Sequence, residues 1–490
     1  MSTRRLVIAI TFVALFAMAA RVSMQNDTWY QLTSARWMVE HRQLLDVDLF
    51  SYTRYGQEWD YVQVNWLGQL LMYPFYVVGG AGGLNVFVAL VVVLAYAILY
   101  PAIPGGAFLR AFALVLTATV AAVFWPARTN IFSFLFFAIH LRILEDWRWG
   151  RADRLKLLPL AQAVWANTHS ASFAGIALAG LYGLAELLGW LWAGRGRYGK
   201  PWLTVGLRGN VGKFLLLGLA LIVATCLTPL GPRTLLHPFD TIVVNFQYLT
   251  EEWQSLSPAS WVFGPYMAVV ALLLLGAALA RGRLPLSHLL PLAFWGWQSA
   301  LALRHVPFFA LVALPALARL WWPPAQALAA RVGFKPLVTE PDNLPPRLAR
   351  LNIVLLALVS LAAAAKVALV LPEDVNAAAL RTTAPYGAVD VMRARRLPGN
   401  LFNSFNFGGY LTWALPEMPV FADSRTDLFG DEVLDKLLIL LHVADGWEDL
   451  MARWEINTVL VEPHWPLVAA LKQQGWQVLY EDDVSILLTR

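Results

Sequence analysis

Trp66-Leu67-Gly68-Gln69-Leu70-Leu71-Met72-Tyr73-Pro74-Phe75-Tyr76-Val77-Val78, followed by Gly79-Gly80-Ala81-Gly82-Gly83, is the stretch on which the topology turns. It is apolar, yet short against the roughly 20 residues that span a bilayer. Pro74 interrupts it and glycines end it. As a crossing, it would send every later basic loop to the outer side, against the bias of Lys and Arg for the cytoplasm. Read instead as an interfacial or re-entrant helix within a long outer loop, it leaves those loops inside.

The other apolar segments follow from that choice. A signal anchor over residues 6–22 follows Arg4 and Arg5, and remains uncleaved in this reading. Further spans are expected at 83–103, 108–125, 130–146, 155–170, 173–192, 213–230, 262–280, 285–302, 304–322 and 350–371. Basic loops separate them. Arg148, Arg151, Arg154 and Lys156 form one, and Arg195, Arg197, Lys200 and Arg208 another. Arg281 and Arg283 make a third, and Arg331, Lys335, Arg347 and Arg350 a fourth. With all four in the cytoplasm beside the N-terminus, there are about eleven crossings. Residues 23–82, 231–261 and everything after about 372 are then outside.

Composition agrees. The chain of 490 residues is 58% hydrophobic and 14% charged, with mean hydropathy +0.56, whereas soluble domains carry roughly 25% charge. A net charge of +5 could suggest nucleic acid, but the cations sit in short loops between apolar spans, so no nucleic-acid partner is expected. The one cysteine, Cys226, lies in an apolar span and offers neither a disulfide nor a cysteine metal site. No phosphate-binding glycine loop, dinucleotide fingerprint or HExxH motif occurs in a suitable context.

After Pro372 the long apolar runs stop. Residues 419–422 and 458–461 read as strands, 431–443 and 466–474 as helices, and 477–480 with 484–489 as a hairpin. The expected architecture is a polytopic α-helical membrane domain over 1–371, with a small extracytoplasmic α/β domain over 372–490. The stretch 323–347 is read as a cytoplasmic connector, and Gly408-Gly409 as a turn.

The first outer loop carries the best chemical lead. In Gln25-Asn26-Asp27-Thr28-Trp29-Tyr30-Gln31-Leu32, Asp27 precedes a helix over 28–41 whose face is Trp29, Leu32, Ala35 and Val39. Asp favours the N-cap, and a capping carboxylate is also a positioned one, so cap and general base are compatible roles. Asp46, Asp48, Glu58 and Asp60 are further acids in the loop; Asp48 suits the start of a turn, and Glu58 and Asp60 suit solvated positions.

Two other groups fall at outer membrane ends. In Trp165-Ala166-Asn167-Thr168-His169-Ser170, Asn167 and His169 could bind a sugar or orient a carboxylate, or hydrogen-bond between helices. In the loop from Thr228 to Ser255, Glu251 and Glu252 could bind sugar hydroxyls or a cation. Arg128, Arg233 and Arg304 stand against the positive-inside bias, so each suggests a lipid phosphate, with snorkelling to headgroups as the alternative.

With Asn26-Asp27-Thr28-Trp29, Asp48-Leu49-Phe50-Ser51-Tyr52, Asn65-Trp66-Leu67, Trp165 to His169, Glu252-Trp253, Gly408-Gly409-Tyr410 and Phe421-Ala422-Asp423-Ser424-Arg425, the chain resembles the GT-C superfamily of integral-membrane glycosyltransferases. Within it the likeness is to bacterial proteins similar to the protein mannosyltransferase and lipid A aminoarabinose transferase branch. The resemblance implies a polyprenyl-phosphate-linked sugar donor and a lipid, glycan or protein acceptor at the outer face of the bacterial inner membrane. It puts the base of the first outer loop at Asp27, with inversion at the anomeric carbon. Trp29, Asp48, Asn65, Trp66, Asn167, His169, Glu251 and Glu252 are candidate substrate contacts, and Arg128, Arg233 and Arg304 candidate phosphate contacts. The chain departs from the common acidic doublet, since Asn26 precedes Asp27 and Thr28 follows it, which leaves a divalent metal possible but without a ligand set. The competing functions are a flippase for a lipid-linked saccharide and a catalytically silent scaffold.

Overall fold

The computed structural model describes residues 1–193, 209–237, 239, 251–279, 284–333, 344–395 and 397–490. Arg195, Arg197, Lys200, Arg208, Arg281, Arg283 and Lys335 of the basic loops lie outside the described residues, as does the side chain of Glu251.

Twelve helices build the first part of the described chain. They are α1 (Thr3–Ala19), α2 (Asn26–His41), α3 (Asp60–Leu99), α4 (Ala107–Ala121), α5 (Asn130–Arg148), α6 (Leu158–Thr168) and α7 (Phe173–Ala193), then α8 (Asn210–Thr225), α9 (Phe263–Leu279), α10 (Leu286–Leu301), α11 (Val306–Val332) and α12 (Pro346–Ala368). A helix lies on each expected apolar segment, but only five stretches among the described residues are long and apolar enough to cross a membrane by length and composition. These are Asp60–Ala102, Ala107–Phe124, Ser170–Trp192, Leu303–Val332 and Pro346–Ala368. Large apolar side chains face outward on α8, α9 and α12, among them Leu216, Leu274 and Leu361. A surface so apolar is suited to lipid rather than water.

The deciding stretch is the first limb of α3. Gly80 breaks the helix with φ 56° and ψ −145°, a conformation that glycine adopts without the Cβ penalty. Beyond it the chain doubles back, so that a methyl group on Gly83 would collide with the Phe75 carbonyl. The Phe75 and Phe87 rings then meet at 4.9 Å. The limb before Gly80 crosses the ends of its neighbours: Trp66 Nε1 donates to Asn167 Oδ1 at 2.8 Å, and Gly68 lies against the Thr168 carbonyl and Thr129.

The last part contains α13 (Glu373–Leu380), α14 (Tyr386–Ala394), β1 (Asn400–Asn403), α15 (Phe405–Ala414), α16 (Thr426–His442), α17 (Trp447–Arg453), β2 (Ile456–Val461), α18 (Pro466–Gln473), β3 (Gln477–Glu481) and β4 (Ile486–Thr489). The sheet order is β1-β2-β4-β3. β1 runs parallel to β2, and the other pairs are antiparallel.

Four sequence expectations need correction here. Residues 419–422 are not a strand; Val420 makes only an isolated bridge to Ser51, because Asn403 meets the backbone there with its side chain. Its Nδ2 donates to Ala422 O at 2.7 Å and its Oδ1 accepts from Phe421 N at 2.8 Å. The true strand, β1, was hidden by its asparagines. Gly408 and Gly409 lie inside α15 rather than in a turn. The helix expected at 431 starts at Thr426 and bends at Gly430. Finally, the prolines at 323 and 324 continue α11 rather than opening a connector, while residues 334–343 lie outside the described residues.

Candidate active site

Helix α2 starts two residues earlier than expected. Gln25 occupies the cap position, and Thr28 Oγ1 accepts its backbone N–H at 2.9 Å. Asp27 is therefore not the N-cap: it sits in the first turn, and its carboxylate is directed at other chain segments. A negative charge in a first turn is favoured by the helix dipole.

Arg128, in the segment between α4 and α5, donates through Nη1 to Asp27 Oδ2 and through Nη2 to Glu252 Oε2, the latter at 2.6 Å. Arg304 Nη1 approaches Glu252 Oε1 at 3.8 Å, and its guanidinium lies 4.2 Å from the Trp253 ring centre. Asp27 and Glu252 thus share one arginine, and Glu252 lies between two. The Asp27 side chain keeps 22% of its surface exposed and Arg128 12%. Thr129, next to Arg128, fixes the segment: its N–H donates to Gln31 Oε1 at 3.0 Å and its hydroxyl to Asn65 Oδ1 at 3.3 Å.

This environment drives the two carboxyls apart. Burial pushes the Asp27 carboxyl above its ordinary value; Arg128 draws it down, and Glu252 pushes it up again. Burial opposes ionisation of Glu252 too, yet Arg128 and Arg304 together hold its carboxyl at about 2. One acid is a permanent anion, the other a base of strengthened affinity for a proton.

A divalent cation bridging two carboxylates would need the position between Asp27 and Glu252, and the Arg128 guanidinium fills it. Among the described residues no three His, Cys, Asp or Glu converge as a metal-binding group. Among the described residues, this arrangement does not fit a resident divalent cation.

The other expected site residues are dispersed. Trp29 is buried against Tyr76, Tyr410 and Trp413. Asn65 is buried, donating to Tyr61 O at 2.7 Å. Asn167 accepts from Trp66 and donates to Ala163 O and Leu227 O, so both side chains tie helices together. His169 Nδ1 accepts the Ala171 backbone N–H at 3.3 Å, which assigns the ring proton to Nε2, and so accepts from the Ser133 hydroxyl at 2.7 Å, itself bonded by Trp165 Nε1. His169 lies close enough to Arg304, Arg128 and Glu252 to interact electrostatically with each. Arg233 is half exposed, with its fork on Asp60 at 2.9 Å and Glu58 at 3.3 Å, so those acids are paired rather than merely solvated.

Asp48 belongs to a different construction. It is fully buried and accepts from the backbone N–H groups of Phe50 and Ser51, the expected turn. Its Oδ1 binds Arg425 Nη1 at 2.5 Å, and Arg425 also binds Asp423 Oδ2 at 2.8 Å. The guanidinium lies 4.7 Å from the Trp59 ring centre. The triad locks the first loop to the C-terminal domain and brings Ser424 beside Asp27. Neither Ser424 nor the nearby Tyr61 was expected at the site; the run Phe421 to Arg425 was the available signal.

A broken helix under an acid-bearing first loop, a helical bundle and an appended α/β domain together make a fold that the chain shares with solved membrane proteins. Two solved examples carry the comparison. The archaeal oligosaccharyltransferase AglB from Archaeoglobus fulgidus, solved with an inhibitory peptide and a dolichol-phosphate, has TM-score 0.57 and 12% identity, over 94% of this chain and 69% of that one. ArnT from Cupriavidus metallidurans bound to undecaprenyl phosphate has TM-score 0.52 and 16% identity, over 99% of this chain and 97% of that one. At these identities the likeness is one of fold. No family model and no curated protein matches the chain.

Proposed function

We propose that this protein is a membrane glycosyltransferase that moves a sugar from a polyprenyl-phosphate donor to a lipid, glycan or protein acceptor. The reading places α1, the second limb of α3 and α4 to α12 across the bacterial inner membrane, eleven crossings in all. The first loop and the C-terminal domain then meet on the outer face. Supporting it are the shared fold and one observation above others: a partly exposed Asp27, braced by Arg128, at the junction of bundle, first loop and C-terminal domain.

In this reading Asp27 takes the proton from an acceptor hydroxyl or amine as the acceptor attacks the anomeric carbon. The bond to the leaving phosphate breaks on the opposite face, so configuration inverts. A positioned base contributes roughly 10²–10⁴-fold. The departing phosphate carries its own charge and needs cations rather than a proton; Arg128 and Arg304 supply them, and Glu252 keeps both in place. The raised proton affinity of Asp27 strengthens it as a base, while Arg128 favours its ionised form.

The test is transfer from polyprenyl-phosphate sugars by purified protein, with mass spectrometry of the lipids it retains. A retained polyprenyl-phosphate sugar and loss of transfer in a folded Asp27→Asn variant are expected. Undiminished transfer by that variant would remove Asp27 as base; movement of the lipid across proteoliposomes without transfer would replace the enzyme with a flippase.

A further inference from the structure

Away from the Asp27 cluster, an apolar groove of about 570 Å³ runs between α1 and α12. Phe12, Val13 and Phe16 form one wall; Ala363, Ala364 and Ala368 keep the other low. Small side chains on one helix facing large ones on the next leave a trough that neither fills. Two cations stand at the end of α1, beyond the residues that line the groove. Lys366 Nζ donates to the carbonyls of Ala17 and Ala20, at the C-terminal end of α1. Arg21 Nη2 donates to the Ala122 carbonyl just past α4.

The two side chains are near enough to repel each other. Among the described residues no carboxylate pairs with either; both spend protons on helix-end carbonyls. Helix ends offer only partial charge, so two full cations at an apolar surface lack a full anion. From Ser360 to Ala368 the groove follows α12 for about 12 Å and continues to Leu371 just past the helix, roughly half of a 30 Å hydrocarbon core. That length suits a chain confined to one leaflet, not a polyprenyl chain that outruns it.

We propose that this groove seats one anionic diacyl phospholipid, its phosphate between Arg21 and Lys366 and one acyl chain along Phe12, Phe16, Ala364 and Ala368. The site is separate from the Asp27 cluster and does not depend on its chemistry. Phosphate and cations together decide the headgroup; the trough holds the chain.

Native mass spectrometry of the full chain in detergent, with phosphatidylglycerol or phosphatidylcholine of identical acyl chains, tests this. Wild type is expected to retain one phosphatidylglycerol at least tenfold more strongly than phosphatidylcholine. Arg21→Gln with Lys366→Gln should abolish the preference. Because that pair also holds helix ends, Ala364→Trp provides an independent variant: it fills the trough, leaves both cations, and should lose the bound lipid while melting like wild type. Equal retention of the two lipids, or an Ala364→Trp protein that retains phosphatidylglycerol like wild type, overturns the proposal. So does displacement of phosphatidylglycerol by undecaprenyl phosphate from that groove, which would make the occupant a polyprenyl lipid.

Discussion

Gly409 of the C-terminal domain lies so close to Asn26 that a methyl group added to it would stand 2.5 Å from the Asn26 carbonyl oxygen. Asn26 opens the helix whose first turn carries Asp27. The domain farthest along the chain therefore sets the position of the candidate base, and it does so through an absent side chain. Gly409→Ala must push α15 from α2. Overpacking of this kind costs about 1–3 kcal/mol. The expected result is a lowered melting temperature together with a loss of transfer larger than the stability change explains, read from melting curves and rates at a temperature where the variant is folded.

The proton affinity of Asp27 makes a directional prediction. A base works only when ionised, and burial raises this carboxyl above its ordinary value while Glu252 raises it further. The acid limb of kcat/KM is expected above the usual aspartate range. Glu252→Gln removes a negative charge from beside Asp27, so its acid limb should move to lower pH even as phosphate binding weakens. A pH–rate series for the two proteins decides it; a limb that stays put would mean another group governs the rate.

Buried ion groups carry their energy asymmetrically, which bears on Asp48, Asp423 and Arg425. All three side chains are fully buried. Removing one partner of such a group costs about 3–5 kcal/mol, because the charges left behind stay desolvated. Arg425→Met is expected to fall in that range by thermal unfolding in detergent, with detachment of the first loop visible as new protease cleavage near residues 50–58. Asp48→Asn, which keeps hydrogen bonding to Ser51 available, should cost less.

Much of this was legible in the chain. Hydropathy placed helices, and Pro74 with the glycines after it marked α3 as something other than a plain span; Gly80 supplies the break. Arg128, Glu252 and Arg304 stand out as charges near apolar ends, and they form the network that begins at Asp27: Arg128 pairs with Asp27, Glu252 with Arg128, and Arg304 with Glu252. What could not be read was pairing over distance. Asp48 and Asp27 look alike in sequence, but one is consumed by Arg425 and the other retains an open edge. Gly408-Gly409 reads as a turn in sequence because local pattern carries no record of close packing between helices. β1 is not legible because Asn400 and Asn403 break its apolar run, and residues 419–422 stay out of the sheet because the Asn403 side chain takes their backbone groups.

Asp27 and Glu252 share Arg128, yet they should respond to pH in opposite ways when stability is measured. Glu252 has its folded carboxyl depressed to about 2 from an ordinary 4.5. Its contribution is full above the unfolded value and disappears as pH falls through the folded one. At neutral pH, Glu252→Gln should lose on the order of 3 kcal/mol, from 1.36 kcal/mol per pH unit of displacement. That gap should narrow below about pH 4.5 and close near pH 2. The Asp27 carboxyl is raised instead, so its contribution is present at low pH and lost as pH rises through the folded value. At neutral pH, Asp27→Asn should therefore be as stable as wild type or more so, while losing activity. Melting temperatures of the three proteins in one detergent at pH 7 and pH 4 provide the check: Asp27→Asn falling with Glu252→Gln at pH 7 would show that Asp27 is a structural ion-pair partner and not a strained base.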